Sequence, residues 1–194
     1  SLSSETSAAR ASRGAGALAE TRREAVSEDM TDERANTTKR LLDPFCGTGV
    51  VLQEASLQGF KVYGTDLSDK MIEYSRQNLN WLANTHRIDV DSIIEQGDAM
   101  NHQWSDVIGA VACEGYLGQP FSAPPSPAKL AEVRKNCNYI MSEFLRNIGK
   151  QLAPGTPLCI AVPAWKSIDG SFTHLPLTSQ LESLGYTPIQ FSSV

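Results

Sequence analysis

The chain has 194 residues, is 41% hydrophobic and carries a net charge of −5, enough length and apolar content for one domain with a real core. Residues 1–40 hold seven Lys or Arg and seven Asp or Glu, so the whole acidic excess, ten bases against fifteen acids, falls in residues 41–194; that balance does not by itself advertise a nucleic-acid surface, which relies on Lys and Arg, so any such contact must come from a local patch or from parts outside this chain. No stretch approaches the ~20 apolar residues of a membrane span, and the four cysteines, with no C-x-x-C pair and no histidine at ligand spacing, predict buried reduced thiols, no metal site and a cytoplasmic protein.

Residues 1–39 nearly lack large apolar side chains, offering only Leu2, Leu18, Val26 and Met30. Burial cannot easily offset the entropy of ordering such a segment, so a loose leader is expected, with one helix favoured over 17–26. From Lys39 onward the pattern alternates between apolar runs and helical periodicity, as in a parallel sheet covered on both faces. A strand is predicted over 40–43 and a helix over 48–57, ended by Gln58-Gly59. A second strand is predicted over 60–66. Ser68 then stands as the cap of a helix over 69–83, with Met71, Ile72, Ser75, Leu79 and Leu82 on one face.

Further along, strands are predicted over 91–96 and 106–113, the latter a continuous apolar run of the kind a buried parallel strand shows. Residues 114–125 read as a loop. Ser126-Pro127 opens a long amphipathic helix running to Leu152. A fifth strand is expected over 157–162, a loop over 166–172, a short helix over 177–184 and a sixth strand over 186–191.

Within this order, Leu41-Leu42-Asp43-Pro44-Phe45-Cys46-Gly47-Thr48-Gly49 is a strand ending in an acid, followed by a glycine turn that opens a helix. Glycines let backbone approach a ligand closely, and the helix start offers unpaired N–H donors. Where a dinucleotide fold has its third glycine, this chain has Val50-Val51-Leu52. The missing glycine and the acid before the turn point to S-adenosylmethionine, which carries no pyrophosphate and needs polar partners at its amino-acid end and ribose. A tight turn without a ligand is the bland alternative.

Asp43, Asp66, Asp98 and Glu114 all fall where successive strands end, and ligands of open parallel sheets bind outside those ends. Asp66 suits the two ribose hydroxyls. Asp98 suits the adenine amino group, with the Ala99 N–H on a ring nitrogen, and Asp43 suits the methionyl ammonium, beside Gly47. Taken alone, Asp43 or Asp98 also fits the role of a turn or cap acid.

Asp-Pro-Phe-Cys-Gly-Thr-Gly, then Val62-Tyr63-Gly64-Thr65-Asp66-Leu67-Ser68, then Gly97-Asp98-Ala99 resembles the class I S-adenosylmethionine-dependent methyltransferases. More narrowly it is similar to the guanine-N2 RNA methyltransferases, whose members often carry an RNA-binding THUMP domain. The resemblance covers roughly residues 40–190 and implies a doubly wound, mostly parallel Rossmann-like α/β sheet with a final reversed strand. It also implies methylation of an exocyclic amine in RNA, most simply guanine N2 of tRNA. The cofactor-binding set it implies is Asp43, Pro44, Phe45, Cys46, Gly47, Gly49, Asp66, Leu67, Asp98 and Ala99.

After the fourth strand such enzymes show an Asp or Asn, two prolines and an aromatic residue; this chain reads Cys113-Glu114-Gly115-Tyr116-Leu117-Gly118. Glu114 is expected to accept from the target amine while Tyr116 stacks on the base, with Leu117 the alternative occupant of the aromatic position. Cysteine nucleophiles are not expected at Cys46 or Cys113, the three histidines read as surface residues, and Trp104 and Trp165 as core or rim packing. The family's helix before the first strand and a closing strand after Phe191 are not recognisable, which suggests a piece of a longer chain that would bind its RNA through a region not evident here. Two further readings stand beside the first: a DNA amino-methyltransferase, acting on adenine N6 or cytosine N4, and a non-catalytic cofactor-binding subunit. Nothing in the sequence addresses oligomeric state.

Overall fold

The computed structural model describes residues 39–121, 125–166 and 170–189; the expectations for the leader and for residues beyond 189 lie outside them. Five strands, β1 (Arg40–Asp43), β2 (Val62–Asp66), β3 (Ser92–Gln96), β4 (Ile108–Glu114) and β5 (Leu158–Ala161), form one sheet in the order β3-β2-β1-β4-β5. Every pairing in it is parallel. After β3 the chain returns past β1 to lay down β4 on the other side, so strand order reverses between β1 and β4, the place where doubly wound folds bind their ligands.

Alternation along the strands builds two cores. Leu42 and Tyr63, both fully buried, point to the face covered by the long helix α3 (Pro127–Ile148), where Met141, Phe144 and Ile148 are likewise fully buried. Leu41 and Val62 point the other way, onto α1 (Val50–Leu57) and α2 (Asp69–His86), against Leu52, Ile72, Leu79 and Leu82. Side chains of successive strand residues face opposite sides, and here both sides are dry. That is why β1, β2 and β4 read as near-continuous apolar runs.

Opposite the ligand rim, Arg40 binds the amino ends together: its guanidinium contacts Asp91 at 2.7 Å and Asp106 at 2.5 Å and donates to the Val62 carbonyl. The carboxyls of Asp91 and Asp106 are held below the usual carboxylate range, chiefly by those hydrogen bonds.

Several expectations change in detail. Glu114 is the last residue of β4 rather than the first of a loop. Ser126 caps α3, accepting from the Lys129 N–H at 3.3 Å, but that helix ends at Ile148 and gives way to turns. Ser68 stands at the start of α2 without a side-chain cap bond. Instead of a loop, Trp165–Lys166 (β6) pairs antiparallel with Phe172–Thr173 (β7). Two short 3-10 turns, Pro176–Ser179 and Glu182–Leu184, replace the expected α-helix. Residues 186–189 do not form a strand: the Tyr186 hydroxyl donates to the Leu145 carbonyl at 2.7 Å and holds this segment against α3. Cys159, expected buried, is exposed. His102, expected at the surface, is half-buried and bonded to Glu95 at 3.1 Å.

Candidate cofactor and substrate site

The carboxyl ends of β1 and β2 support the glycine turn from below. Cys46 N–H donates to the Thr65 carbonyl at 2.9 Å, and the turn closes on itself through Gly49 N–H to the Cys46 carbonyl at 2.7 Å. Gly47 and Gly49 both adopt the left-handed conformation, with φ of +52° and +82°, which costs other residues strain. No side chain caps the start of α1, so its first N–H donors are available to a ligand. A Cβ on Gly49 would sit 2.8 Å from the Ser75 hydroxyl, whereas one on Gly47 would meet nothing within 4 Å. The turn is thus backed by α2 on one side and open on the other.

Asp66 ties this turn to β2. Its Oδ2 accepts from Gly47 N–H and its Oδ1 from Ser68 N–H, both at 2.9 Å. A carboxylate has about four lone-pair sites, so each oxygen retains capacity for a ribose hydroxyl. Leu67, next in the chain, is 70% exposed on the rim, and its carbonyl accepts from the Gln96 side chain at 2.9 Å.

Asp43 is the most constrained acid. It is 2% exposed, accepts from Phe45 N–H at 3.1 Å and has no ion-pair partner among the described residues. Burial pushes its carboxyl up to about 7, the Phe45 N–H opposes that shift, and the nearby charges of Asp66 and Glu114 raise it further. Three acids converging without a cation form a site complementary to positive charge. S-adenosylmethionine brings an ammonium and a sulfonium, and the open side of Gly47 gives its amino-acid end room, so the residues present fit the group.

Asp98 and Ala99 occupy the turn after β3. Asp98 Oδ1 accepts from Met100 N–H at 3.0 Å, so the acid shapes its own turn. Ala99 is 4% exposed, and its carbonyl is held by the Asn147 side chain of α3 at 3.1 Å. The imidazole of His102 lies on Gly97, where a Cβ would approach it within 2.3 Å.

On the other side of the switch point, Glu114 is exposed and stands in register with Ala161 of β5, whose carbonyl accepts from Gly115 N–H at 2.9 Å. Gly115 packs closely: a Cβ there would fall 2.8 Å from the Met141 sulfur and 3.1 Å from the Ala161 carbonyl oxygen. Tyr116 is half-buried and packs on the α3-side core, while Leu117 is 44% exposed. The loop therefore turns the aliphatic side chain outward and the aromatic one inward.

Cys46 and Cys113 are buried and their thiols are raised by burial, Cys46 to about 12. Both stay protonated at neutral pH, which leaves neither as a nucleophile. Trp104 is core, donating its indole N–H to the Thr65 hydroxyl at 3.3 Å.

Sequence reasoning missed the contribution of α2 to the turn. Ser75, fully buried, donates to the Gly47 carbonyl at 2.9 Å, and Asn78 donates to the Thr48 carbonyl at 2.9 Å. The available signal was a serine on an otherwise apolar helix face. Replacing Ser75 with alanine removes one bond to the turn and is expected to weaken cofactor binding about fivefold. Calorimetry would read that change, with turnover at saturating cofactor unaffected.

Over 130 residues the chain is 29% identical to a tRNA (guanine(10)-N2)-dimethyltransferase of Methanothermobacter thermautotrophicus, covering 67% of this chain and 34% of that protein. Over 62 residues it is 42% identical to the Pyrococcus abyssi protein of the same name, covering 32% of this chain and 17% of that one. The chain thus spans about a third or less of these curated relatives. CalS10, an amino pentose methyltransferase from Micromonospora echinaspora solved with SAM bound, superposes with a TM-score of 0.45 at 22% identity, over 76% of this chain and 51% of that one. The family profile described as a methyltransferase domain matches residues 35–183, and the chain belongs to that methyltransferase family.

Proposed function

We propose that this chain is the cofactor-binding and catalytic part of an S-adenosylmethionine-dependent RNA methyltransferase that modifies an exocyclic amine, guanine N2 of tRNA. Residues 40–194 would form the catalytic domain and 1–39 a leader, acting in the cytoplasm. The observation that carries this reading is the arrangement across the switch point: buried Asp43 ends β1, and exposed Glu114 ends the adjacent strand β4, near enough that its charge helps to raise the Asp43 carboxyl. The names of the relatives support the choice of guanine N2 in tRNA.

When bound, the cofactor supplies an activated methyl group on sulfur. Asp43 holds the ammonium, Asp66 takes ribose hydroxyls, Leu67 covers one face of the adenine, and Asp98 with Ala99 reads its edge. Pro44, Phe45 and Cys46 shape the turn through which Gly47 and Gly49 approach the amino-acid end. Glu114 accepts a hydrogen bond from the target amine and orients its lone pair toward the methyl group. An in-line displacement demands orientation more than a strong base, and an exposed carboxylate at the rim meets that demand. Tyr116, seated against the core, fixes the path of the loop and gives the base an aromatic wall.

Labelled cofactor incubated with total RNA and with undermodified tRNA, followed by nucleoside analysis, tests the reading. N2-methylguanosine in tRNA is the expected product. Label entering DNA but no RNA would favour the adenine N6 or cytosine N4 chemistry instead, and cofactor binding without transfer to any nucleic acid would leave a non-catalytic subunit.

A further inference from the structure

The β6–β7 ribbon follows β5, so it lies at the carboxyl rim, and its first residue is four positions after Ala161, the register partner of Glu114. Directly opposed residues of an antiparallel pair share a face. Lys166 opposes Phe172, and Trp165 opposes Thr173. Trp165 is half-buried on the α3-side core and anchors the inner face.

The outer face carries what a packing role does not require. Phe172 is 58% exposed. His174, two residues on and also exposed, lies with its ring 6.5 Å from that of Phe172 at an interplanar angle of 33°. Lys166 is exposed on the same face, with no ion pair among the described residues. Arg134 of α3 donates to the His174 carbonyl at 3.3 Å, and its Nε has no partner among the described residues. Two tilted rings with Lys166 and Arg134 close by therefore stand in the segment that follows β5, in a part of the chain where acids outnumber bases fifteen to ten.

We propose that the outer face of this ribbon, Lys166, Phe172 and His174, binds an unpaired stretch of RNA beside the target nucleotide, by base stacking and phosphate contact. Exposed aromatic rings stack on any base, and neighbouring cations follow the backbone. The occupant is RNA rather than protein because exposed rings with Lys166 and Arg134 close by pair a stacking surface with positive charge for phosphate, against the acidic balance of the rest of the domain. The proposal rests on the RNA reading of the site and supplies a binding surface within this chain.

Fluorescence anisotropy of the whole chain with a short labelled oligouridylate tests it separately from methyl transfer. F172A is expected to weaken RNA binding about tenfold. K166A is expected to flatten the slope of log affinity against log salt by about 0.7. Both variants should keep wild-type cofactor affinity by calorimetry, which shows that they are folded. Unchanged RNA affinity in both variants, or no binding of single-stranded RNA by the wild type, would overturn the proposal. Loss of self-association in F172A by sedimentation, with RNA affinity intact, would overturn it in favour of a protein partner. Failure of the methyl-transfer assay with these RNA effects present would count against the enzymatic reading alone.

Discussion

Replacing Glu114 with alanine is expected to lower the rate of methyl transfer at saturating substrates by about a hundredfold or more, the order lost when one preorganised hydrogen-bonding group is removed from a transition state, while cofactor affinity stays at the wild-type level. Glu114 is exposed at the end of β4 and its side chain makes no hydrogen bond or ion pair among the described residues, so the variant is expected to keep its fold. Glutamine retains an acceptor oxygen without the charge, and E114Q should therefore keep more activity than E114A. Single-turnover rates with methylatable RNA would check the order. Wild-type turnover in E114A would remove Glu114 from the chemistry and shift the burden to the loop beyond it.

The second large effect belongs to Asp43. Its carboxyl is raised by burial from the usual range to about 7, so between about pH 4 and 7 the folded ligand-free domain holds a proton that the unfolded chain has released. A native state with more bound protons loses stability as pH rises. This one group makes the ligand-free domain less stable by on the order of 4 kcal/mol across that window. D43N abolishes the loss, since an asparagine oxygen can still accept from Phe45 N–H; its melting temperature at pH 8 should exceed wild type by roughly 5 °C or more.

Cofactor binding shows the opposite preference. The ammonium needs the ionised carboxylate, so affinity in the wild type should rise with pH up to about 7 and then level. Below that point binding should release a proton. D43N should bind about thirtyfold more weakly at pH 8, for loss of a charge-assisted hydrogen bond, and its affinity should not vary across this range. Calorimetry in buffers of different ionisation enthalpy reads both. A variant less stable than wild type, or affinity independent of pH in the wild type, would contradict the role assigned to Asp43.

These two effects pull in opposite directions at one residue. Asp43 destabilises the ligand-free domain chiefly because burial desolvates its carboxylate, and the negative charges of Asp66 and Glu114 add to that cost. With Asp43 in the proposed role, two arriving positive charges reverse that cost, and the site selects for a cationic ligand. The α2 bonds from Ser75 and Asn78 hold the turn in place meanwhile.

The rim acids were legible in the chain because a doubly covered parallel sheet leaves an unusual pattern: a run of apolar residues closed by an acid, repeated in order. Asp43 and Asp66 end their strands as read, and Glu114 ends its strand one residue later than the apolar run suggested. The last third of the domain was read less well. A two-residue strand such as Trp165–Lys166 has too few positions to display a period. The expected helix near Leu177 is two 3-10 turns because α3 shapes that segment: Leu175 and Leu177 are buried, and the Leu177 N–H is taken by Asn138 at 2.8 Å.

By itself the sequence determined the layered α/β architecture, the glycine turn at the end of β1 and the order of acids along the rim, because backbone conformation and burial on both faces act through neighbouring residues. Only the tertiary structure decided which way side chains face once strands are assembled. It turned Tyr116 inward and Leu117 outward, brought Ser75 to the Gly47 carbonyl, and surrounded Asp43 with like charge in a dry site. Desolvation and close approach between residues far apart in the chain depend on sheet order and helix packing, and no local pattern carries them.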